Sequence, residues 1–172
     1  MTGELQTGAP LASGLELRRA PDGSVKITGA FRYNSPAVLS DGGRNGRPQK
    51  ELIVSGAFRY AIEDQTRDIA LLIGHDWNRT LASKLAGSLV LEDTREALLI
   101  TAIISPLIAR TQYAQDAIAQ LEAGLATGIS PGFRLPPERA VPREQAEEFE
   151  DEPVDPSKGM HGALIRKIKE AI

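Results

Sequence analysis

Residues 85–104 read LAGSLVLEDTREALLITAII, and this stretch decides the fold class. From Leu85 to Leu91, every second residue except one glycine is a leucine, and this period of two is typical of a strand. Residues 98–104 are almost wholly apolar, which indicates a second, more buried strand. The polar link at residues 92–96 predicts that the two strands form a hairpin.

Further strands are predicted on both sides of this hairpin, together with one clear helix. Alternating or compact apolar segments indicate strands at residues 15–18, 25–33, 52–54, 69–73 and 163–169. The helix is predicted at residues 111–123, where apolar residues recur at helical spacing after Thr111, a suitable N-cap. Many short strands with one good helix favour an α+β or small β-barrel domain over a βαβ array.

Composition excludes several classes of protein. The 172 residues suit one domain, and the hydrophobic fraction of 41% and charged fraction of 25% are ordinary for a soluble globular protein. A net charge of −3 argues against a nucleic-acid partner bound through phosphate neutralisation. No apolar run approaches the roughly 20 residues of a membrane span, so no membrane partner is expected. The absence of cysteine excludes disulfides, thiolate zinc sites and cysteine nucleophiles.

Two segments are expected to lie outside regular structure. Residues 1–13 are small and polar, which predicts a flexible leader that is not a secretory signal. Residues 136–160 are rich in acids and prolines, which predicts a solvated loop. Residues 14–172, including this loop, are expected to form the domain.

The segment Gly128-Ile129-Ser130-Pro131-Gly132 matches the pattern G-x-S-x-G, which can present a serine nucleophile on a sharp turn. In an α/β-hydrolase, a strand precedes that serine and a helix follows it. Here a predicted helix precedes Ser130, and prolines prevent a regular helix after it, so that interpretation fails. Gly128 and Gly132 still allow a substrate backbone to approach closely, and Ser130 remains a candidate nucleophile.

A serine nucleophile needs a base, and the chain has two histidines. His161 lies in a predicted mobile loop, whereas His75 ends an apolar strand, a position where functional groups are held rigidly. Taken alone, a strand-end histidine and a turn serine are more often structural than catalytic. His75 and Asp76 offer two metal ligands without a third, so neither a metal nor a cofactor is expected.

Five segments, in order along the chain, carry a resemblance to a known family: residues 27–31, 55–58, 73–76, 98–105 and 124–134. Together they resemble the prohead proteases of tailed bacteriophages, which are serine proteases that mature the capsid. In that family, a His-Asp pair after an apolar strand supplies the catalytic histidine. A helix that leads into a [Gly/Ala]-x-Ser-x-Gly-Phe segment supplies the nucleophile. The resemblance therefore implies catalytic roles for His75 and Ser130.

The same resemblance implies a fold and a set of substrates. The fold would be a small, mostly antiparallel β-barrel flanked by helices, similar to the herpesvirus maturational protease. The substrates would be the scaffold protein or the scaffolding segment of the major capsid protein, cut inside the procapsid in the host cytoplasm. Self-cleavage is usual in the family, and homo-oligomerisation is left open.

The third catalytic residue of the family is an acid in a strand that follows the serine segment. Residues 165–171 resemble the lead-in to that strand, and the chain ends before the acid arrives. We therefore expect either a truncated or self-processed form or the use of another acid. Glu170 is the nearest candidate by position and Asp76 by sequence, and neither is favoured as the third residue.

Backbone N–H groups in the segment from Gly128 to Gly132 are expected to stabilise the oxyanion of the reaction, with help from Arg134 or Arg166. Two other functions remain open. One is a protease-like capsid-assembly protein that docks scaffold chains without cutting them. The other is an unrelated hydrolase in which the motif around Ser130 arose by chance.

Overall fold

The computed structural model describes residues 6–7, 11–12, 14–44, 46–126, 128–154 and 162–172. These residues form a mixed α/β structure with mostly strands and few helices. The strands are β1 (Gln6–Thr7), β2 (Leu11–Ala12), β3 (Glu16–Arg19), β4 (Val25–Arg32), β5 (Ala37–Ser40), β6 (Gln49–Ile53), β7 (Ala70–Ile73), β8 (Asp76–Ser83), β9 (Leu89–Asp93), β10 (Ala97–Ile104), β11 (Gly128–Ile129), β12 (Gly132–Phe133), β13 (Glu147–Asp151) and β14 (Leu164–Ile168). The helices are α1 (Arg59–Glu63), α2 (Pro106–Ala109), α3 (Gln112–Glu122) and α4 (Arg143–Ala146).

The first four-stranded sheet has the order β3-β4-β10-β9 and contains the predicted hairpin, β9–β10. β10 pairs antiparallel with β4 along its whole length, from Ala97 opposite Arg32 to Ile104 opposite Val25. Side chains alternate between the two faces of a strand, and the inward set of both strands is buried in the core. The hairpin prediction is therefore confirmed.

The hairpin begins later in the chain than predicted. Leu85 is exposed in a turn in which Gly87 has a φ of +72°, and β9 starts only at Leu89. The residues before this turn belong to β8, a strand that the sequence did not predict. The reason is that three consecutive exposed residues, Trp77, Asn78 and Arg79, follow Asp76 in β8 and hide its period of two.

The second four-stranded sheet has the order β13-β14-β6-β5, with β14 parallel to β6. It corrects the prediction that residues 136–160 are a solvated loop, because residues 147–151 form β13. The acids of this strand pair with basic residues in β14 and directly after it: Nζ of Lys167 lies 2.5 Å from a carboxylate oxygen of Glu150, and Nζ of Lys169 lies 3.4 Å from one of Glu148. Opposite charges across a strand pair stabilise it, whereas the sequence of the segment alone shows only unpaired acids.

A hydrophobic core joins both sheets to α3. Its largest fully buried side chains are Phe133, Ile104, Ile168 and Val25, and α3 adds Ile118. The predicted helix is thus present, and Thr111 occupies its N-cap position. The Thr111 hydroxyl donates to the carbonyl of Ile108 at 2.7 Å instead of capping the helix.

The sheets are not closed into a barrel, which corrects the expected barrel. Among the described residues, the strands form two sheets of four strands and three of two, and each four-stranded sheet keeps two edges. A barrel requires every strand to pair on both sides, and sequence alternation identifies strands without identifying their neighbours. A likeness to the herpesvirus protease fold stays a prediction. Residues 1–13, expected to be a flexible leader, contribute β1 and β2, which pair with β12 and β11.

Candidate active site

His75 lies in the two-residue turn of the hairpin formed by β7 and β8. β7 and β8 pair antiparallel, and Ile73 is opposite Asp76, so that Gly74 and His75 alone make the turn. Both have positive φ, at 60° and 57°, which is the signature of a type I′ turn and matches the twist of the strands. Glycine adopts this conformation freely, and histidine is one of the residue types that tolerates it. The turn therefore fixes the backbone of His75 from both sides.

Ser130 lies between two short strands, β11 and β12, and the residues that follow it are anchored to the core. Phe133 is 1% exposed, and its ring packs edge-to-face on Phe58 with centroids 6.2 Å apart. The next residue, Arg134, exchanges two backbone hydrogen bonds with Ile172, at 2.9 and 2.8 Å. These contacts hold the downstream side of Ser130 against the core, while Ser130 itself is half-buried.

The two elements bring the side chains together although they are 55 residues apart in the chain. Nε2 of His75 lies 2.8 Å from Oγ of Ser130, a hydrogen-bonding distance. In the tautomer that carries its proton on Nδ1, the imidazole accepts from the serine hydroxyl. Both residues are half-buried, so that the pair is partly shielded from water and still reachable. An imidazole in this position can take the hydroxyl proton.

No carboxylate in the described ranges forms a hydrogen bond or ion pair with His75. Asp76 is engaged elsewhere: its Oδ1 accepts from the backbone N–H of Asn78 at 2.9 Å, and its Oδ2 lies 3.4 Å from Nε of Arg79. Glu170 is exposed, and its carboxylate contacts no described basic group. Neither Asp76 nor Glu170 therefore orients His75 in the described structure.

The expected oxyanion-stabilising groups differ in availability. Pro131 has no N–H, so the nearest backbone donors are those of Ser130 and Gly132. Arg134 is exposed, and its guanidinium has no partner among the described residues. Arg166 is unavailable, because its guanidinium donates hydrogen bonds to Glu147 and Glu51.

Three further expectations from the sequence concern the second histidine, a metal site and a membrane-spanning helix. His161 lies outside the described residues. Within the described ranges, no three residues of the types that bind metal ions cluster together. In the same ranges, no helix has the length and apolar character needed to cross a membrane.

Sequence reasoning missed two features of the site, the β7–β8 turn and the pairing of β1 and β2 beside Ser130. A signal for the first was present. Gly74 and His75 stand between an apolar segment and Asp76, and a glycine followed by a residue tolerant of positive φ indicates a tight turn. No sequence signal marked the second.

A family model described as caudovirus prohead serine protease matches residues 16–154, a span that contains both His75 and Ser130. No curated protein matches the chain significantly, and no solved structure does.

Proposed function

Because the chain belongs to the caudovirus prohead serine proteases, whose role is in capsid maturation, we propose that it is an endopeptidase in which His75 activates Ser130. The observation that carries this proposal is the 2.8 Å contact between Nε2 and Oγ. We further propose that it cleaves the scaffold protein or the scaffolding segment of the major capsid protein, and its own chain, inside the procapsid in the host cytoplasm.

The reaction follows from this geometry. Nε2 of His75 takes the hydroxyl proton as Oγ of Ser130 attacks the scissile carbonyl carbon. The resulting oxyanion is stabilised by backbone N–H groups, for which Ser130 and Gly132 are the nearest donors, and by the charge of Arg134. The tetrahedral intermediate then collapses, the imidazolium protonates the departing amine, and an acyl-enzyme remains. Water, deprotonated by His75, hydrolyses that ester and regenerates the serine.

The turn supplies part of the orientation that a triad acid supplies in other serine proteases. An acid normally holds the imidazole in one tautomer and stabilises the imidazolium, and its loss lowers kcat by about 10⁴ where it has been measured. In the described structure, the backbone of the β7–β8 turn fixes the direction of the His75 side chain. A backbone can fix direction but cannot stabilise positive charge, so the proposed mechanism retains a place for an acid.

A fluorophosphonate probe tests the proposal, because it reacts with serines that a base activates. Wild-type protein should be labelled once, at Ser130, and Ser130→Ala should not be labelled. Ser35→Ala is the matched control, since the Ser35 hydroxyl has no hydrogen bond to another described residue, and it should label like wild type. Labelling that persists in Ser130→Ala would contradict the assignment of the nucleophile.

A second candidate function is a scaffold-docking protein that does not cut. The observation that favours it is the lack of a described carboxylate against His75. This function predicts that wild type binds scaffold or capsid protein and stays unlabelled by the probe. Labelling of wild type with loss in Ser130→Ala would eliminate it.

A further inference from the structure

Two short strands from the beginning of the chain lie along the segment that carries Ser130. β2 pairs antiparallel with β11, with Leu11 and Ala12 opposite Ile129 and Gly128. β1 pairs antiparallel with β12, with Gln6 and Thr7 opposite Phe133 and Gly132. The paired residues thus flank Ser130 on both sides, and one backbone edge runs past the serine. That edge is occupied by the protein's own chain.

An edge of this kind is suited to an extended polypeptide. A peptide that adds as an antiparallel strand gains main-chain hydrogen bonds without regard to its sequence. Gly128 and Gly132 carry no side chains, so an opposing backbone can approach them closely. Ser130 lies between them, where a bound strand would present a peptide carbonyl to Oγ. The N–H of Gly132, one of the two nearest oxyanion donors, belongs to a residue that is now paired with Thr7.

We propose that residues 128–133 form the substrate-binding edge, on which a substrate segment binds as an antiparallel strand, and that β1 and β2 occupy this edge in the free protein as an intramolecular competitor. This inference rests on the proposed function and extends it to the mode of substrate binding and its regulation. The occupant must leave before substrate binds, which lowers the apparent affinity by the fraction of molecules in which the edge is open.

The competitor is built to be displaceable. Each of its strands pairs over two residues only, and residues 1–13 are mostly small or polar. Two-residue pairings add few hydrogen bonds, although the tether gives them a high effective concentration. We expect occupation of the edge to slow reaction at Ser130 on the order of tenfold, a population effect that a longer substrate strand overcomes.

The test removes the pairing in the full chain. A variant with proline at Gln6, Thr7, Leu11 and Ala12 removes every backbone N–H that β1 and β2 could donate to the edge. A matched variant with alanine at Gln6, Thr7 and Leu11 changes the same side chains and keeps every N–H. Hydrogen exchange of the paired residues 128–129 and 132–133 reports occupation of the edge, and the rate of fluorophosphonate labelling reports access to Ser130.

The expected result is lost amide protection at residues 128–129 and 132–133 and labelling about tenfold faster in the proline variant, with the alanine variant within about twofold of wild type. A synthetic peptide of residues 4–14 should slow labelling of the proline variant again. Unchanged protection in the proline variant would overturn the occupation of the edge. Lost protection with an unchanged labelling rate would overturn the competition.

The readouts keep this inference separate from the proposed function. If no variant is labelled, the proposed function fails, and hydrogen exchange still decides whether β1 and β2 occupy the edge. If the four-proline variant does not fold, the milder variant with proline only at Gln6 and Thr7 releases β1 alone. The same two measurements then apply to residues 132–133.

Discussion

Two groups of polar side chains in this molecule differ in how many hydrogen bonds and ion pairs they make within the fold. His75 and Ser130 share one hydrogen bond, and both are half-buried. Arg166, in contrast, donates to Glu147 at 2.5 Å and to Glu51 at 3.3 Å, and both glutamate side chains are only 5% exposed. Arg143 makes a second ion pair with Glu147. The first pair keeps bonding capacity for a substrate, while the second group has used its capacity within the fold.

The difference teaches which polar residues to connect with chemistry. A buried charge is costly unless it is paired, so a group such as the one around Arg166 must be closely satisfied for the sheet to form. A catalytic pair has the opposite requirement, because it must exchange protons with a substrate. Both groups contain titratable side chains, so residue type alone does not distinguish a catalytic pair from a structural group. The number of partners that each side chain has does distinguish them.

The largest expected effect is on the catalytic pair. His75→Asn should lower activity by a factor on the order of 10³ to 10⁶, because the base is lost, while asparagine still accepts the positive φ of the turn. His75→Ala should lose activity equally and also cost about 1 kcal/mol of stability, because alanine tolerates that φ poorly. Labelling rates and urea unfolding measure the two effects. Equal stabilities of the two variants would contradict the importance of the turn.

The opposite pattern is expected when the saturated group is broken. Arg166→Met leaves two buried carboxylates without their shared partner and should destabilise the fold by about 3 kcal/mol. The labelling rate at Ser130 should stay within about twofold of wild type at temperatures where the variant is folded. Arg18→Met is the control: Arg18 is 79% exposed in its ion pair with Glu16, and its loss should cost less than about 0.5 kcal/mol. A comparable cost for the two variants would refute the contrast.

The two carboxylates that Arg166 binds should respond to pH in opposite directions. Burial raises the pKa of Glu51, and the charge of Arg166 offsets this only in part. Burial also pushes the pKa of Glu147 upward, but hydrogen bonds from Arg166 and Arg143 outweigh it and hold that pKa below its usual range. Stability from Glu51 is therefore present below the usual carboxyl pKa and is lost as the pH rises through the raised value. Stability from Glu147 is present above the usual pKa and is lost as the pH falls through the lowered value.

Glutamine variants separate these contributions. Relative to wild type, the stability of Glu51→Gln should increase as the pH rises above the usual carboxyl pKa, and the stability of Glu147→Gln should also increase as the pH falls below that pKa. Urea unfolding at a series of pH values measures both profiles. Profiles that change in the same direction for the two variants would show that the pKa values of Glu51 and Glu147 are not shifted in opposite directions.

The sequence predicted individual strands and helices better than it predicted which strands pair with each other. The β9–β10 hairpin and the helix α3 follow local periodicity, and both are present, although the hairpin starts at Leu89 and not at Leu85. The acidic strand β13 was missed because its stability comes from basic residues of β14, which follow it by a long connection. Closure into a barrel was also expected from strand content, and pairing between distant segments decided against it.

The site shows the same limit in a sharper form. His75 and Ser130 were singled out from the sequence, but the turn that directs the imidazole and the strands that line the serine depend on tertiary pairing. A repeated pentapeptide makes this dependence plain. Gly-Ala-Phe-Arg-Tyr at residues 29–33 belongs largely to β4, whereas the same letters at residues 56–60 make a turn and the start of α1. Identical local sequence has taken two structures because its surroundings differ.

The smallest effects are expected where this repeat places the same side chain in two environments. Tyr33 is 5% exposed, and its hydroxyl donates to Oδ1 of Asp93 at 2.6 Å, whereas Tyr60 is 65% exposed. Tyr33→Phe should cost about 1 to 2 kcal/mol, because it removes a hydrogen bond to a charged acceptor whose other oxygen, Oδ2, has only an ion pair with Nε of Arg59 at 3.5 Å among the described residues. Tyr60→Phe should change stability by less than about 0.5 kcal/mol. Urea unfolding of both variants compares identical substitutions in identical pentapeptides, so any difference measures the surroundings of the hydroxyl, its burial and its partner, and not the residue type. Equal costs would mean that the bond to Asp93 contributes nothing net, and the number of partners would then no longer distinguish the structural groups from the catalytic pair.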